Sequence, residues 1–161
     1  MRWRGHFYNN ATGTLTIKNS MDRGLFLRQH ANQHFHNIGL LTITNSGSFG
    51  IEGENSAVHF DNTGIVQGAD DFDPKISLNG TFAPGEMGAT EIGTMNFNGN
   101  QTFTGSFDMD VAGVTTHDVI STTGTATVSG VTLNLNLGSY APASGDRIVI
   151  VSGTSLSLIH I

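Results

Sequence analysis

The sequence predicts an all-β fold, a single-stranded parallel β-helix with coils of about 25 residues in its N-terminal half. Two observations carry this. One phrase recurs three times: an aromatic residue, an Asn two positions on, then a Gly leading into an apolar run. The copies are Phe7-Tyr8-Asn9 with Gly13-Thr14-Leu15, Phe35-His36-Asn37-Ile38-Gly39-Leu40-Leu41, and Phe60-Asp61-Asn62-Thr63-Gly64-Ile65-Val66. Gly13 to Gly39 is 26 residues and Gly39 to Gly64 is 25, a period that suits one coil of a solenoid. The second observation is the absence of any segment with apolar residues at helical spacing over several turns. Short period-2 runs bounded by Gly, Asn and Ser recur instead.

Within the first half, Leu15-Thr16-Ile17-Lys18-Asn19-Ser20 returns as Leu41-Thr42-Ile43-Thr44-Asn45-Ser46, and a second apolar stretch follows each, Leu25-Phe26-Leu27 and Phe49-Gly50-Ile51. One such coil cannot bury its inward face alone, whereas stacked coils give every strand a partner above and below. Leu15, Leu41 and Val66 are therefore expected to form one inward row, with Gly13, Gly39 and Gly64 at equivalent turns. Asn19 and Asn45 either stack as an amide ladder or occupy left-handed turn positions. After Val66 the repeat loosens through residues 67–75 and resumes with Ile76-Ser77-Leu78. Further on, Phe107, Met109 and Val111 alternate with Asp108 and Asp110, and Val131, Leu133, Leu135 and Leu137 alternate with Thr132, Asn134 and Asn136, so that each run has one dry face.

From Gly80 the sequence resembles a known family. Gly80-Thr81-Phe82-Ala83-Pro84-Gly85 and Ile92-Gly93-Thr94-Met95-Asn96-Phe97-Asn98-Gly99-Asn100 are similar to the passenger-associated repeats of bacterial autotransporters. The matching phrases continue in the family's order: Ser106-Phe107-Asp108-Met109-Asp110-Val111, His117-Asp118-Val119-Ile120, Gly124-Thr125-Ala126-Thr127-Val128, Val131-Thr132-Leu133-Asn134-Leu135, and Tyr140-Ala141-Pro142-Ala143-Ser144-Gly145-Asp146. The resemblance covers about Gly80 to Gly153. It implies a right-handed β-helical passenger, exported through a C-terminal translocator barrel and displayed at the bacterial surface or secreted. The sequence carries neither that barrel nor a signal peptide, so it is expected to be a gene fragment. The last residues, Leu156-Ser157-Leu158-Ile159-His160-Ile161, are identical to the conceptual translation of a transposon-end sequencing adapter. Three regions result: 1–79 as β-helix coils, 80–155 as the passenger-associated region continuing the helix, and 156–161 as a non-native, adapter-derived tail whose alternation would otherwise permit a final strand.

Composition limits the function classes. Gly numbers 21 of 161 residues and charged residues make up 12%, a balance that favours tightly turned β structure. The formal net charge of −6, with the arginines dispersed, argues against a nucleic-acid partner. Cysteine is absent, so neither a disulfide nor a thiolate site is available. No stretch has the length of a transmembrane helix, and no membrane insertion by this segment is expected.

Several clusters invite chemistry. Asp108 and Asp110 share a strand face and could serve a glycosidase as acid and base, but with no further catalytic group beside them a solvated face is the expectation. Asp70, Asp71 and Asp73 in one loop suggest calcium, yet without a repeated calcium motif they read as a polar turn. His30, His34 and His36 form the densest nitrogen cluster. Zinc would need three such ligands and a fourth, and only His34 and His36 share a strand face. Asn10, Asn79 and Asn100 begin glycosylation sequons. No catalytic, cofactor-binding or metal residue is therefore assigned. The expected function is a structural or adhesive segment of an autotransporter-type surface protein, not an enzyme, with a host surface or polysaccharide as partner and with end-to-end self-association of the isolated chain. The alternative is a parallel β-helix polysaccharide lyase or hydrolase. An intracellular structural protein would require Met1 to be the true start.

Overall fold

A computed structural model describes residues 6–18, 23–27, 34–44, 49–53, 59–73, 75–86 and 91–159. Every regular element among them is a strand. The first circuit consists of β1 (His6–Asn9), β2 (Thr14–Lys18) and β3 (Arg23–Leu27), and the second of β4 (His34–Asn37), β5 (Leu40–Thr44) and β6 (Phe49–Gly53). The third has β7 (His59–Asn62) and a long β8 (Ile65–Phe72), and the fourth β9 (Lys75–Leu78), β10 (Thr81–Pro84) and β11 (Thr94–Phe97). Then come β12 (Gln101–Phe103), β13 (Ser106–Asp110) and β14 (Val119–Thr122), followed by β15 (Thr125–Ser129), β16 (Thr132–Asn136) and β17 (Val151–Ser152), with β18 (Ser155–Ile159) opening the next circuit. All strand-to-strand ladders are parallel: β1-β4-β7-β9-β12-β15-β18 form one sheet, while the other two faces merge through β8. The chain is a parallel β-solenoid, with most coils close to 25 residues.

In-register stacking turns the sequence repeat into rows. Leu15, Leu41, Val66, Phe82, Phe107 and Leu133 follow one another across one face, and the expected Leu15-Leu41-Val66 row is part of it. Leu41, Val66, Phe82 and Phe107 are buried, each contributing about 1.5–3 kcal/mol by leaving water. On the first sheet Phe7, Phe35 and Phe60 stack with ring centroids 5.1 and 5.2 Å apart.

The glycines of the repeat are required by close backbone approach. The carbonyls of Gly13, Gly39, Gly64, Gly80 and Gly105 accept from the N–H of Leu40, Ile65, Thr81, Ser106 and Thr132 in the following coil, at 2.8–3.0 Å. A Cβ on Gly39 would lie 2.2 Å from Gly13 O, and one on Gly105 would lie 2.0 Å from Gly80 O. Any side chain here would push adjacent coils apart.

The stretch after Val66 tightens where loosening was expected. Val66 pairs with Phe82 only 16 residues later, because β8 serves two faces without a loop between them. Its corner is Gly68, at φ +116°, where a Cβ would fall 1.8 Å from Ile43 O. Asp70 and Asp71 consequently lie within β8 rather than in a turn, and only Asp73 follows it. One further expectation is corrected at the far end. The dry face of β16 is open: Leu133 and Leu135 are 44% and 50% exposed, since among the described residues β16 pairs with β13 alone. Residues 155–159 pair with β15 over Thr125↔Ser155 to Ser129↔Ile159, as the strand-like alternation of the tail permits.

Candidate functional site

Period-2 geometry on the first sheet divides the repeated phrase between two faces. In β4, Phe35 and Asn37 are buried while His34 and His36 are half-exposed. The same division holds in β7, where Phe60 and Asn62 are buried and His59 and Asp61 half-exposed. Register then stacks His6 with His34 and His59, and Tyr8 with His36 and Asp61.

Outside, the result is a patch of parallel rings. Centroids of His6 and His34 are 5.0 Å apart, as are those of His34 and His59. Tyr8 lies 4.5 Å from His36, and the planes of His6, His34 and His36 agree within 7–13°. His6 Nδ1 is 3.0 Å from His36 Nε2. One carboxylate oxygen from the next coil, Asp61 Oδ2, lies 3.1 Å from His34 Nδ1 and 3.2 Å from His36 Nδ1. One ring nitrogen from each of His6, His34 and His36 comes within 4.8 Å of the others. His34 and His36 share a face as expected; His30 lies outside the described residues. The third imidazole is His6, from the preceding coil. The signal for it was present, because His precedes Phe in every copy of the phrase: His6-Phe7, His34-Phe35 and His59-Phe60.

Inside, beneath those rings, is an amide ladder. Asn9 Nδ2 donates to Asn37 Oδ1 at 2.8 Å, and Asn37 Nδ2 to Asn62 Oδ1 at 2.8 Å. Each amide also donates to the carbonyl that opens the next strand, Leu40 O at 2.9 Å and Ile65 O at 3.0 Å. The main-chain carbonyls of Asn9 and Asn37 accept from the turn above, Ile38 and Gly39 in one case and Thr63 and Gly64 in the other. Asn19 and Asn45, the expected ladder, lie outside the described residues. The ladder stops at Asn62, whose register partner is Leu78, and Asn62 Nδ2 has no acceptor among the described residues.

The acidic candidates separate. Asp108 is half-buried, whereas Asp110 is only 8% exposed and accepts from Asn136 Nδ2 at 2.6 Å, so the solvated-face expectation fails for Asp110. Beside it stands an acid missed in the sequence, Asp118, which is 1% exposed. Its Oδ1 accepts from Gly93 N and its Oδ2 from Asp110 N, both at 2.8 Å. Burial pushes the Asp118 carboxyl up to about 6, a shift that the Asp110 and Gly93 N–H bonds partly offset and the nearby Asp110 charge adds to. With both oxygens engaged by backbone, this carboxylate ties the end of β13 to the approach to β11. Asp71 and Asp73 accept from Asn96 and Asn98 at 2.7 and 2.6 Å, bonds that join coils and do not converge on a cation. The sequon residues Asn10, Asn79 and Asn100 are all exposed.

At the C-terminal end an apolar cleft of about 440 Å³ is lined by residues including Phe107, Val131, Leu133, Ile150 and Leu156. Among the described residues no helix is long and apolar enough to cross a membrane. No family model, no curated protein and no solved structure matches the chain.

Proposed function

We propose that the chain is a structural or adhesive segment of a secreted or surface-displayed bacterial β-helix protein of the autotransporter-passenger type, and that it is not an enzyme. The observation that carries this reading is how the outer polar side chains are used. They bond to one another from coil to coil: Gln67 to Thr42 at 3.0 Å, Asn98 to Asp73 at 2.6 Å, Thr123 to Asn98 at 2.8 Å, and Thr125 to Ser155 at 2.9 Å. Such rows brace a rod and present a flat, repetitive surface suited to contact. The passenger-like phrases between Gly80 and Gly153 support the export route, and a host surface or a polysaccharide is the partner.

The alternative, a polysaccharide lyase or hydrolase, draws its best support from Asp110 and Asp118, two neighbouring acids of which one is held partly protonated near neutral pH. Against it stands the burial of Asp118, which is 1% exposed with each oxygen bonded to a backbone N–H and so lies out of reach of a substrate. The experiment combines a glycan and host-cell binding screen of the purified chain with a panel of polysaccharides assayed for cleavage. Binding without turnover is expected; turnover abolished by Asp108→Asn or Asp110→Asn would overturn the reading. An epitope inserted in the exposed turn at residues 114–116 tests display, with antibody access on intact bacteria expressing the full gene as the expected result.

Self-association follows from the exposed end. Leu133 and Leu135 on a strand with one unpaired edge form a template for a further coil, and the occupant proposed is a second copy of the chain. Sedimentation of the isolated chain should show assemblies that grow with concentration, whereas Leu133→Lys with Leu135→Lys should sediment as a monomer.

A further inference from the structure

We propose that His6, His34 and His36 form a binding site for a transition-metal dication of the zinc type, with Asp61 as the carboxylate that orients the imidazoles. Two geometric facts converge. The three rings offer nitrogens within 4.8 Å of one another, and the closest pair, His6 Nδ1 and His36 Nε2, is 3.0 Å apart. Ligands at about 2.0–2.1 Å from a tetrahedral zinc lie about 3.3–3.4 Å apart, so that pair already approximates one edge of the polyhedron. The remaining separation closes by rotation of side chains on an open strand face.

Asp61 supplies the second element of a metal site. Its Oδ2 faces Nδ1 of both His34 and His36. Accepting a proton-bearing Nδ1 from each fixes the tautomer in which Nε2 carries the lone pair, the state that a metal ligand requires. Carboxylates placed behind ligating histidines in this way commonly tune affinity tenfold to a hundredfold. Three imidazoles suit zinc, copper or nickel and are a poor match for calcium or magnesium. A fourth position, left to water or to a residue of a bound partner, would make the patch a docking point as well as a staple. Because His6 belongs to β1, His34 and His36 to β4, and Asp61 to β7, one ion with the carboxylate behind it would link three successive coils.

The probe is Zn²⁺, titrated calorimetrically into the tag-free full chain, with unfolding temperature measured in parallel. One equivalent should bind and raise the unfolding temperature. His36→Ala and His6→Ala should each weaken binding at least tenfold and abolish the thermal shift, while circular dichroism confirms that both remain folded. Asp61→Asn should weaken binding without removing it. His59→Ala, which removes a stacked neighbour but no ligand, should bind as the parent does. Absence of a saturable site, or affinity unchanged in both His6→Ala and His36→Ala, would overturn the assignment.

Discussion

Two polar ladders climb this molecule on opposite sides of its wall, and they differ in what surrounds them. In the N-terminal coils, Asn9, Asn37 and Asn62 stack behind a row of phenylalanines, with Asn37 and Asn62 fully buried. In the C-terminal coils, Asp73, Asn98 and Thr123 make an equally regular chain of hydrogen bonds on the outer surface. The bond lengths are similar, but the alternatives are not. An outer side chain that loses its partner finds water, whereas an inner amide left alone bears the desolvation penalty of a buried polar group. Aromatic packing shows a parallel contrast. Where the repeat is strict, Phe7, Phe35 and Phe60 stack nearly face to face; where it is not, Phe82, Phe97, Phe103 and Phe107 from different strands meet edge-on at interplanar angles of 76–84°. Identity between coils produces rows, and its loss produces a mixed core.

The comparison can be broken most severely through the backbone that both ladders depend on. Gly39→Ala places a Cβ against Gly13 O at 2.2 Å and Asn10 O at 2.3 Å. A loss of about 4 kcal/mol or more is expected in urea unfolding. Gly130→Ala is the control, since its Cβ would meet nothing within 4 Å and only the φ of +62° opposes it, at about 1–2 kcal/mol. Equal effects would show that coil spacing does not demand glycine. Next, Asn37→Ala removes the middle rung of the inner ladder and leaves one Asn9 Nδ2–H and Asn62 Oδ1 without their partner, for about 2–4 kcal/mol.

Asp118 sharpens the contrast by pH. Its folded pKa of about 6 lies above the ordinary 3.8, so the folded state holds this proton more tightly than the unfolded chain does. Its contribution is fully present below about pH 4 and is lost as pH rises through 6, a fall of about 3 kcal/mol at most. Subtracting the pH profile of Asp118→Asn from that of the parent isolates this group; a difference that rises from pH 4 to 7 would contradict the assigned sign. The smallest effect is expected outside. Asn98→Ala, despite losing bonds to both Asp73 and Thr123, should change stability by no more than about 0.5 kcal/mol. A loss as large as that of Asn37→Ala would erase the distinction between the two ladders.

Much of the fold was legible because a stacked coil repeats its environment. Phe7, Phe35 and Phe60, or Gly13, Gly39 and Gly64, face the same neighbours one period later, so the same residue types return. Contacts made inside one copy of the phrase could be read the same way: Asn37 lies two residues from buried Phe35, on the same face, and the inner ladder is implied by that spacing. It was sought at Asn19 and Asn45 instead because turns, not strand ends, are the usual place for asparagine. The site was harder to see. His6 and Asp61 join His34 and His36 only once the register is known, and Asp118 acquires its character from Gly93, one coil earlier, and from Asp110, across a hairpin-like return at Val111 and His117. The contraction after Val66 was hidden for a different reason. Polar residues such as Asp70 and Asp71 suggest a loop, but on a sheet with a wet outer face they can extend a strand.

The 25-residue step between bonded partners such as Asn98 and Thr123 also fixes what this architecture is good for mechanically. Each circuit advances the axis by one strand spacing, about 4.8 Å. That is roughly 0.2 Å of reach per residue, against about 1.5 Å in an α-helix. A chain selected for span alone would not be wound this way. The return is girth: three bonded faces set around a solid apolar centre resist bending in every direction, as a tube resists it better than a cord. Whatever is carried at the tip of such a column is held at a fixed distance and orientation from its base.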